Sequence, residues 1–588
     1  MNSRDRRQEL INRLMRPEPK LATVSGVVTT RPGTIKEVDL RMPAVEVITT
    51  KSYQLVPNPG NPEPVIVEES VGNFGNSVGL RNPGMETGLA ELRKLRATHS
   101  MRALLNVSIS GSTPEEFAQF AVGFEEVADM LELNLSCPHA AEGYGMSIGT
   151  DPELVAQYVA AVRKVSGSLV FPKLTPNVDD IGTIARAAVE AGADGICAIN
   201  TVGPRLFIEP HTGKPVLRNN SGNRGGMSGR WIADVARQKI AQIRLAVGPD
   251  IPILGIGGVE SGEDVRGLLE AGANVVGLGS VFARVDPKNW SGFTSALIQD
   301  ATQKGSSAKE YVSERRVMEY HPFKIKRRES GGHGTVLLEL DGKLDYQSSQ
   351  FAFIWYPEVG EKPFSIAGND PLSFFIKERG PVSGTLCALE PGETVYVRGV
   401  YGRAAPLSNK KYVYVLAGGT GIAVVPQLAK ELASKEAAVH VVYATSHKSD
   451  ILVPEGIENH ARLDIVPDDG LPARAVGFWQ HTVEENAVPQ ADWAVYTIGP
   501  PDFMRKTVET ALELGAEANS IFISVETATH CGVGLCGECE CGGKLTCQEG
   551  TFFTKQFLDG QGIKIADLPS HEHHTRDSSP SKRLQYLQ

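Results

Sequence analysis

The sequence predicts an α/β protein. It opens with a closed (β/α)8 barrel of the TIM type. A second module follows, made of a small antiparallel β-barrel, an α/β nucleotide-binding domain and a cysteine-rich terminal loop. Three observations carry this. From about residue 20 to 300, short apolar runs alternate with amphipathic stretches: LELNLS at 131–136, then PELVAQYVAAVRKV, LVFPKL, IGTIARAAVEAGA and GICAIN. Strand alternating with helix at that interval means repeated βα units on a parallel sheet, and some eight of them in one domain suit a closed barrel better than an open sheet. Next, residues 318–405 change texture to Thr-, Val- and Tyr-rich strands broken by Gly and Pro, the pattern of a small antiparallel barrel. Finally, KYVYVLA, GGTG, IAVVPQLAKELAS, VHVVYAT and DWAVYTIGP return to strand–turn–helix over 411–505.

Composition bounds the function. The 588 residues are 41% hydrophobic and 22% charged, with 61 glycines and a net charge of −10. These are values of a folded multidomain protein, and they argue against a nucleic-acid backbone as partner, which would need clustered Lys and Arg. No apolar run reaches the roughly 20 residues of a membrane span. The opening MNSRDRRQELINRLMRPEPK has no apolar core and carries Asp5, Glu9 and Glu18, so it reads as a helical arm and not a leader. A cytosolic protein is expected. The expected boundaries are an arm at 1–20, the barrel at 21–302, a linker at 303–317 within the polar stretch QKGSSAKEYVSERR, the antiparallel barrel at 318–408, the nucleotide domain at 409–522, the cysteine loop at 523–560 and a poorly ordered tail at 561–588.

Element by element, the barrel's candidate site residues fall at strand ends, the face where such barrels hold their chemistry. Lys51 ends ITTKS, Asn134 and Cys137 stand in NLSCPH, Lys173 in FPKLTP, and Asn200 and Thr201 in INTVG. A buried small hydrophobe is the usual fate of a free cysteine, but the Pro-bounded polar loop around Cys137 argues for chemistry. Two strand-end lysines among asparagines suit an anionic, amide-rich ligand. The pair PILGIGGV and NVVGLGSVF, separated by SGEDVRGLLEAGA, has the character of strands seven and eight, whose turns often bind a phosphate.

In the second module, Gly418-Gly419-Thr420-Gly421 follows a strand and opens a helix, a context in which backbone N–H groups can hold a pyrophosphate. The cysteines are the strongest signal. Cys197 and Cys387 are scattered with Cys137, whereas Cys531, Cys536, Cys539, Cys541 and Cys547 fall within seventeen residues. C-x4-C-x2-C followed by a fourth cysteine is the plant-ferredoxin spacing of a 2Fe-2S cluster. A tetrahedral zinc is the alternative, although zinc knuckles favour C-x2-C pairs. Cys541 is left as a spare able to replace a neighbour.

Lys362-Pro363-Phe364-Ser365, the GGTG turn and Gly499-Pro500 together resemble the ferredoxin–NADP reductase superfamily, in which an Arg-x-Phe/Tyr-Ser motif binds FAD and the glycine turns frame FAD and the nicotinamide nucleotide. Lys362 stands in place of that arginine, keeping the charge but losing the bidentate fork. Residues 21–300 resemble the class 1 dihydroorotate dehydrogenases through VSGV (24–27), ITTKS, GNSVGLRNPG (75–84), NLSCPH, KLTPN, INTVG, GGMSG (225–229), GIGGVESGEDV and GLGS. Residues 318–558 resemble the electron-transfer subunit of the class 1B enzymes, with Ser524-Val525-Glu526 before the cluster loop. The two parts are normally separate chains and here stand fused.

The resemblance implies an enzyme that oxidises dihydroorotate to orotate, electrons passing from FMN through 2Fe-2S and FAD to NAD+. It makes Cys137 the base for the C5 proton. Asn76, Asn134, Asn200 and Thr201 would bind the substrate, with Gly79 and Leu80 giving backbone contacts, and Lys51 would touch both substrate and flavin. Lys173 would stand at the flavin N1/O2 edge. Ser25 and Gly26 would line the flavin, and Gly257, Gly258, Gly279 and Ser280 would hold its phosphate. Cys531, Cys536, Cys539 and Cys547 would ligate the cluster. Class 1 enzymes commonly pair through the barrel, so a homodimer or higher homo-oligomer is expected. Three positions depart from the pattern: His139 (a histidine shared with dihydropyrimidine dehydrogenases), Arg81 and Arg224. His139 and the fused architecture motivate a second reading, an NAD(P)H-dependent reductase of uracil, thymine or a related cyclic amide. A scaffold that lost catalysis is disfavoured by the complete cysteine set. Ser446, His447 and Lys448 lie where a 2′-phosphate could sit, yet class 1B enzymes use NAD+.

Overall fold

A computed structural model describes residues 3–135, 146–486, 489 and 492–568. The chain forms two compact units, Met1–Glu319 with Val533–Leu545, and Tyr320–Gly532 with Thr546–Gln588. The segment expected as a separate cysteine domain is thus divided, with 533–545 belonging to the first unit. Among the described residues no helix is long and apolar enough to cross a membrane.

The first unit is built on eight parallel strands: β1 (Leu21–Thr23), β2 (Val45–Thr49), β3 (Leu104–Ile109), β4 (Met130–Asn134), β5 (Leu169–Leu174), β6 (Ile196–Ala198), β7 (Ile253–Ile256) and β8 (Val275–Leu278). They close in sequence order, β8 pairing with β1, so each crossover helix packs outside the sheet beside its neighbour, as right-handed βαβ units require. The helices start where the sequence provides caps: Thr113, Asp151 and Asp180 accept from backbone N–H groups of their first turns, and Ser261 with Asp264 forms a capping box.

Alternation along the strands sorts the barrel interior into layers. Val47, Leu104, Met130, Leu169, Phe171, Cys197, Leu254 and Val275 form an apolar floor, on which Leu10, Ile11 and Leu14 of the Ser3–Leu14 helix pack. The N-terminal arm therefore plugs one end of the barrel. It is tied there by ion pairs of Arg6 to Asp129 (2.8 Å), Arg7 to Asp194 and Arg13 to Glu46. Two residues further along β3 and β4, the inward positions turn polar: Asn106, Ser108, Glu132 and Asn134.

A four-stranded antiparallel sheet, in the order Ile66–Ser70, Asn73–Asn76, Arg224–Gly229, Val202–Leu206, is inserted between barrel elements. The polar connection after the barrel is pinned to it. The buried Glu68 carboxylate accepts from the N–H groups of Val317 and Met318 (2.5 and 3.0 Å), and Arg316 donates to the Glu68 carbonyl (2.7 Å).

In the second unit, six antiparallel strands close a small barrel in the order His321–Ser330, Thr335–Leu340, Leu372–Lys377, Gly360–Asn369, Phe351–Tyr356, Thr394–Tyr401. On the face of its strands opposite the apolar core, Arg398 and Glu361 lie side by side, both fully buried. Two hydrogen bonds of 2.6 and 2.8 Å join them, and the guanidinium lies 3.8 Å above the Phe353 ring. The remaining sheet runs Arg462–Pro467, Ala438–Thr445, Tyr412–Gly418, Trp493–Ile498, Ile521–Ser524 in parallel, with Phe552–Thr554 antiparallel at its edge. Its order reverses between Tyr412–Gly418 and Trp493–Ile498, the switch point where ligands of open α/β sheets bind.

Candidate active site

At the C-terminal ends of β1–β8 a cavity of about 190 Å³ opens. Its wall brings together residues that are far apart in sequence. Lys51 follows β2, Asn134 ends β4, Lys173 comes from β5, and Asn200 and Thr201 follow β6. Ser25 and Gly26 come from the β1 turn, Gly257 and Gly258 from that after β7, Gly279 and Ser280 from that after β8, and Asn76, Gly79 and Leu80 from the inserted sheet. Every barrel residue to which the family resemblance gives a role lies in this wall, apart from Cys137, which with His139 lies outside the described residues. Lys51, Asn134 and Lys173 are all more than nine-tenths buried, and charge so desolvated is retained only where partners and ligand repay it.

Local geometry explains why glycines stand here. Gly258 has φ of 71°, and a Cβ on it would meet Ala233 Cα at 2.7 Å and N at 2.9 Å, so the turn presses its bare backbone against the start of the Ala233–Val247 helix that precedes β7. At Gly26 (φ 76°) a side chain would come within 3.3 Å of the Lys51 ammonium. Leu80 itself takes φ of 55°, a conformation uncommon outside glycine and concentrated at functional sites.

The wall contains groups the sequence did not disclose. Ser52, Phe74, Ser228, Gly229 and Ile232 line it, as does Leu535 from the cysteine-rich segment. That segment is seated on the barrel: Leu535 O accepts from Val28 N–H (2.9 Å), Cys536 O from the Thr30 hydroxyl (2.7 Å), and Glu538 pairs with Arg31 (3.0 Å). The spacing of its cysteines is legible in the sequence; nothing in Leu535 announces a place in the cavity. Arg81 does not line the wall and bonds to Pro59 O, Asn61 O and Glu63 (2.7–3.1 Å), while Arg224 is exposed on its strand.

All five cysteines of the cluster segment are buried. Arg398 donates to Cys531 O (2.8 Å) and Gly402 N–H to Cys547 O (2.9 Å). Glycines at 532, 534 and 537 have φ of 82°, 71° and 68°, giving the tight backbone that thiolate wrapping of a cluster needs. Cys541 differs from the rest. It lies in a two-residue strand paired with Lys544–Leu545, and burial, helped by Glu540, pushes its thiol up to about 12. Among the described residues no group of three or more His, Cys, Asp or Glu side chains is gathered that could hold a metal ion.

In the second unit, Gly418 ends the central strand and Gly499 follows its neighbour. A Cβ on Gly499 would lie 3.0 Å from Gly418 Cα, and one on Gly421 3.0 Å from Ile498 O. The turn does not open directly into an α-helix: Gly419–Val424 is a 3₁₀ segment, and the helix begins at Val425. Pro500 precedes the Pro501–Glu513 helix. Lys362, Pro363, Phe364 and Ser365 lie on the Gly360–Asn369 strand, paired with Ile354, Phe353, Ala352 and Phe351, with Lys362 exposed. Ser446, His447 and Lys448 are exposed after the Ala438–Thr445 strand, the His447 ring 4.3 Å from that of His333 and tilted 33° to it.

Comparison with known proteins places the first unit. Residues 21–299 match the family model described as dihydroorotate dehydrogenase. The chain is 43% identical over 241 residues to the dihydroorotate dehydrogenase B (NAD(+)) catalytic subunit of Methanothermobacter thermautotrophicus, covering 41% of this chain and 76% of that one. With the same subunit of Methanocaldococcus jannaschii it shares 44% over 234 residues, 40% of this chain and 74% of the relative. With that of Pyrococcus horikoshii it shares 38% over 294 residues, 50% and 92%. A solved NADH-dependent reduced ferredoxin-NADP oxidoreductase matches 45% of this chain and 98% of its own at 21% identity with a TM-score of 0.37, too slight a likeness to add to the topology above. Through its barrel the chain belongs to the dihydroorotate dehydrogenase family and is an oxidoreductase.

Proposed function

We propose that this chain oxidises dihydroorotate to orotate at the barrel mouth and delivers the electrons through FMN, a 2Fe-2S cluster and FAD to NAD+ within one polypeptide. The observation that carries it is the convergence of Lys51, Asn76, Asn134, Lys173, Asn200 and Thr201 on one buried cavity, in a region 43% identical to NAD-linked catalytic subunits. Overall, dihydroorotate loses a proton from C5 and a hydride equivalent from C6, NAD+ gains the hydride equivalent, and one proton is released.

The residues divide the work by chemistry. Asparagine amides offer both a donor and an acceptor, so Asn76, Asn134 and Asn200, with the Thr201 hydroxyl, suit the alternating N–H and C=O edge of a pyrimidine ring. Lys51 supplies a cation for the substrate carboxylate. Cys137 is the proposed base for the C5 proton. The glycine turns at 257–258 and 279–280 offer bare backbone to a phosphate, with Ser25 and Gly26 beside them, and Lys173 would face the flavin ring. FMN bound there would supply the hydride acceptor that no side chain can provide. Cys531, Cys536, Cys539 and Cys547 are the proposed cluster ligands. Lys362–Ser365 would hold FAD, and the Gly418–Gly421 and Gly499–Pro500 turns FAD and NAD+.

The test is anaerobic: purified chain is mixed with dihydroorotate, flavin bleaching is followed, and NAD+ is then added. Bleaching followed by NADH absorbance is the expected result. Bleaching by NADH but not by dihydroorotate would discard the substrate and turn the search to uracil, thymine and related acceptors.

A further inference from the structure

Behind the cavity the barrel holds a carboxylate that no motif assigns. Glu132 lies mid-strand in β4, 1% exposed, between Met130 on the apolar floor and Asn134 at the mouth. Its Oε1 accepts from the Ser108 hydroxyl (3.0 Å) and stands 3.5 Å from Lys173 Nζ, and its Oε2 accepts from the Cys197 thiol (3.2 Å). Ser108 Oγ is 2.8 Å from Ser52 Oγ, which accepts from Asn134 Nδ2 (3.0 Å) and lies 3.0 Å from Ser25 Oγ. Ser25, Ser52, Asn134 and Lys173 line the cavity; Glu132, Ser108 and Cys197 do not.

The direction of every bond in this chain follows from its inner end. An ionised carboxylate only accepts, so Ser108 must donate to it and take a hydrogen bond from Ser52. The single Ser52 proton is then spent, leaving its lone pairs for Asn134 and for Ser25. The Ser25 proton points inward in turn, and its lone pairs are left toward the cavity. Replace the anion by a donor, and each of these orientations loses its reason. The same carboxylate faces Lys173, a flexible four-carbon stem whose ammonium, 7% exposed, holds its proton in such surroundings only beside an opposite charge. A buried ion pair is no gain in stability over apolar packing, so stability alone does not explain its place here.

We propose that Glu132 is a positioning residue, which keeps Lys173 charged and aimed into the cavity and orients the Ser108–Ser52–Asn134 chain against the bound flavin and substrate. This rests on the barrel holding FMN and oxidising dihydroorotate.

The test uses full-length holoenzyme in four forms: wild type, Glu132→Gln, Lys173→Met and the double variant. FMN content, the midpoint potential of the dihydroorotate-reducible flavin and its anaerobic rate of reduction are measured. Glu132→Gln is expected to retain FMN, to shift the potential and to slow reduction by about ten-fold or more, with the half-saturating dihydroorotate concentration changed less than about two-fold. In the Lys173→Met background the Glu132→Gln change is expected to move the potential no further, because the ion pair it breaks is already gone, and to slow reduction only by the share that runs through the serine chain. Wild-type rate and potential in Glu132→Gln, or potential shifts that add in the double variant, overturn the proposal. Ser108→Ala, which cuts the chain but spares the ion pair, is expected to slow reduction without moving the potential; an unchanged rate would refute the chain's part. Wild type that holds FMN yet ignores dihydroorotate would fail the substrate reading instead, while potentials taken by photoreduction still test the Glu132–Lys173 coupling.

Discussion

The mouth of the parallel barrel and the crevice of the parallel sheet in the second unit are the same device, glycine turns at the C-terminal ends of strands, used in opposite ways. At the barrel mouth the glycines are hemmed in, Gly258 by Ala233 and Gly26 by the Lys51 ammonium, and charged or amide side chains fill the space between them. In the sheet, a Cβ on Gly419 (φ 55°) would meet nothing within 4 Å, while one on the neighbouring Gly499 would lie 3.0 Å from Gly418 Cα. A site that carries out bond-making needs side chains preorganised at developing charge, whereas a nucleotide's phosphates can be held by N–H groups alone. On the proposed function, one mouth carries out the reaction and the other holds a carrier.

The sharpest break between them is Cys536→Ser. If the four-cysteine set carries electrons from one mouth to the other, this variant is expected to let dihydroorotate bleach flavin at the wild-type rate and to abolish NAD+ reduction. Full-rate NADH formation, followed at 340 nm, would remove the cluster from the route. Next in size is Arg398→Leu. Burial opposes the Arg398 charge, but Glu361, with Tyr401 and Tyr320, outweighs it and keeps the guanidinium protonated. Without it Glu361 is left buried and unpaired, a change worth about 3–5 kcal/mol. Chemical denaturation is expected to show that loss in the second unit, with FMN retained in the first; concerted loss of both would mean the units do not unfold separately.

A smaller contrast comes from the glycines themselves. Gly258→Ala must overcome both a left-handed backbone and contacts at 2.7 and 2.9 Å with Ala233. Displaced FMN is the expected result, together with destabilisation of about 1–3 kcal/mol. Gly419→Ala faces open space and only the backbone penalty, about 1–2 kcal/mol at most. Equal effects of the two, by flavin content and melting temperature, would erase the distinction between a packed and an open turn.

The same contrast explains what could be read from the sequence. The βα alternation gave the barrel, and turn chemistry exposed Gly257–Gly258, Gly418–Gly421 and Gly499, because glycine at a strand end is a local demand. Strand-end Lys51, Asn134, Lys173 and Asn200 were visible for a similar reason: polarity at the close of an apolar run stands out. Glu132 was not, since it sits inside LELNLS, where alternation alone cannot tell an inward position from an outward one; its partners arrive from β3, β5 and β6. Leu535 was hidden too, as its place in the cavity depends on Val28 and Thr30 more than five hundred residues away. The plug formed by Leu10, Ile11 and Leu14 was read as a plain arm because a short amphipathic helix carries no record of what it covers.

The smallest expected effect belongs to the sheet alone. His440, buried in its second strand, bonds Asp464 through Nε2 (2.7 Å), beside Arg462. Burial holds its ring below the usual histidine value, against the pull of the Asp464 bond. A lowered folded-state value means that the unfolded chain binds the proton more readily, so stability is fully present above the unfolded value of about 6.5 and is lost as pH falls through the lower folded one. The second unit is thus expected to lose up to about 1 kcal/mol on going from pH 7.5 to 5 through this group. Melting curves of wild type and His440→Gln across that range check it: the variant's slope should be shallower in the second unit's transition and unchanged in the barrel's. A steeper slope in the variant would mean that Asp464, not burial, governs the ring. The packed sheet would then behave more like the barrel mouth, where paired charge decides, than like the glycine turns at its own edge.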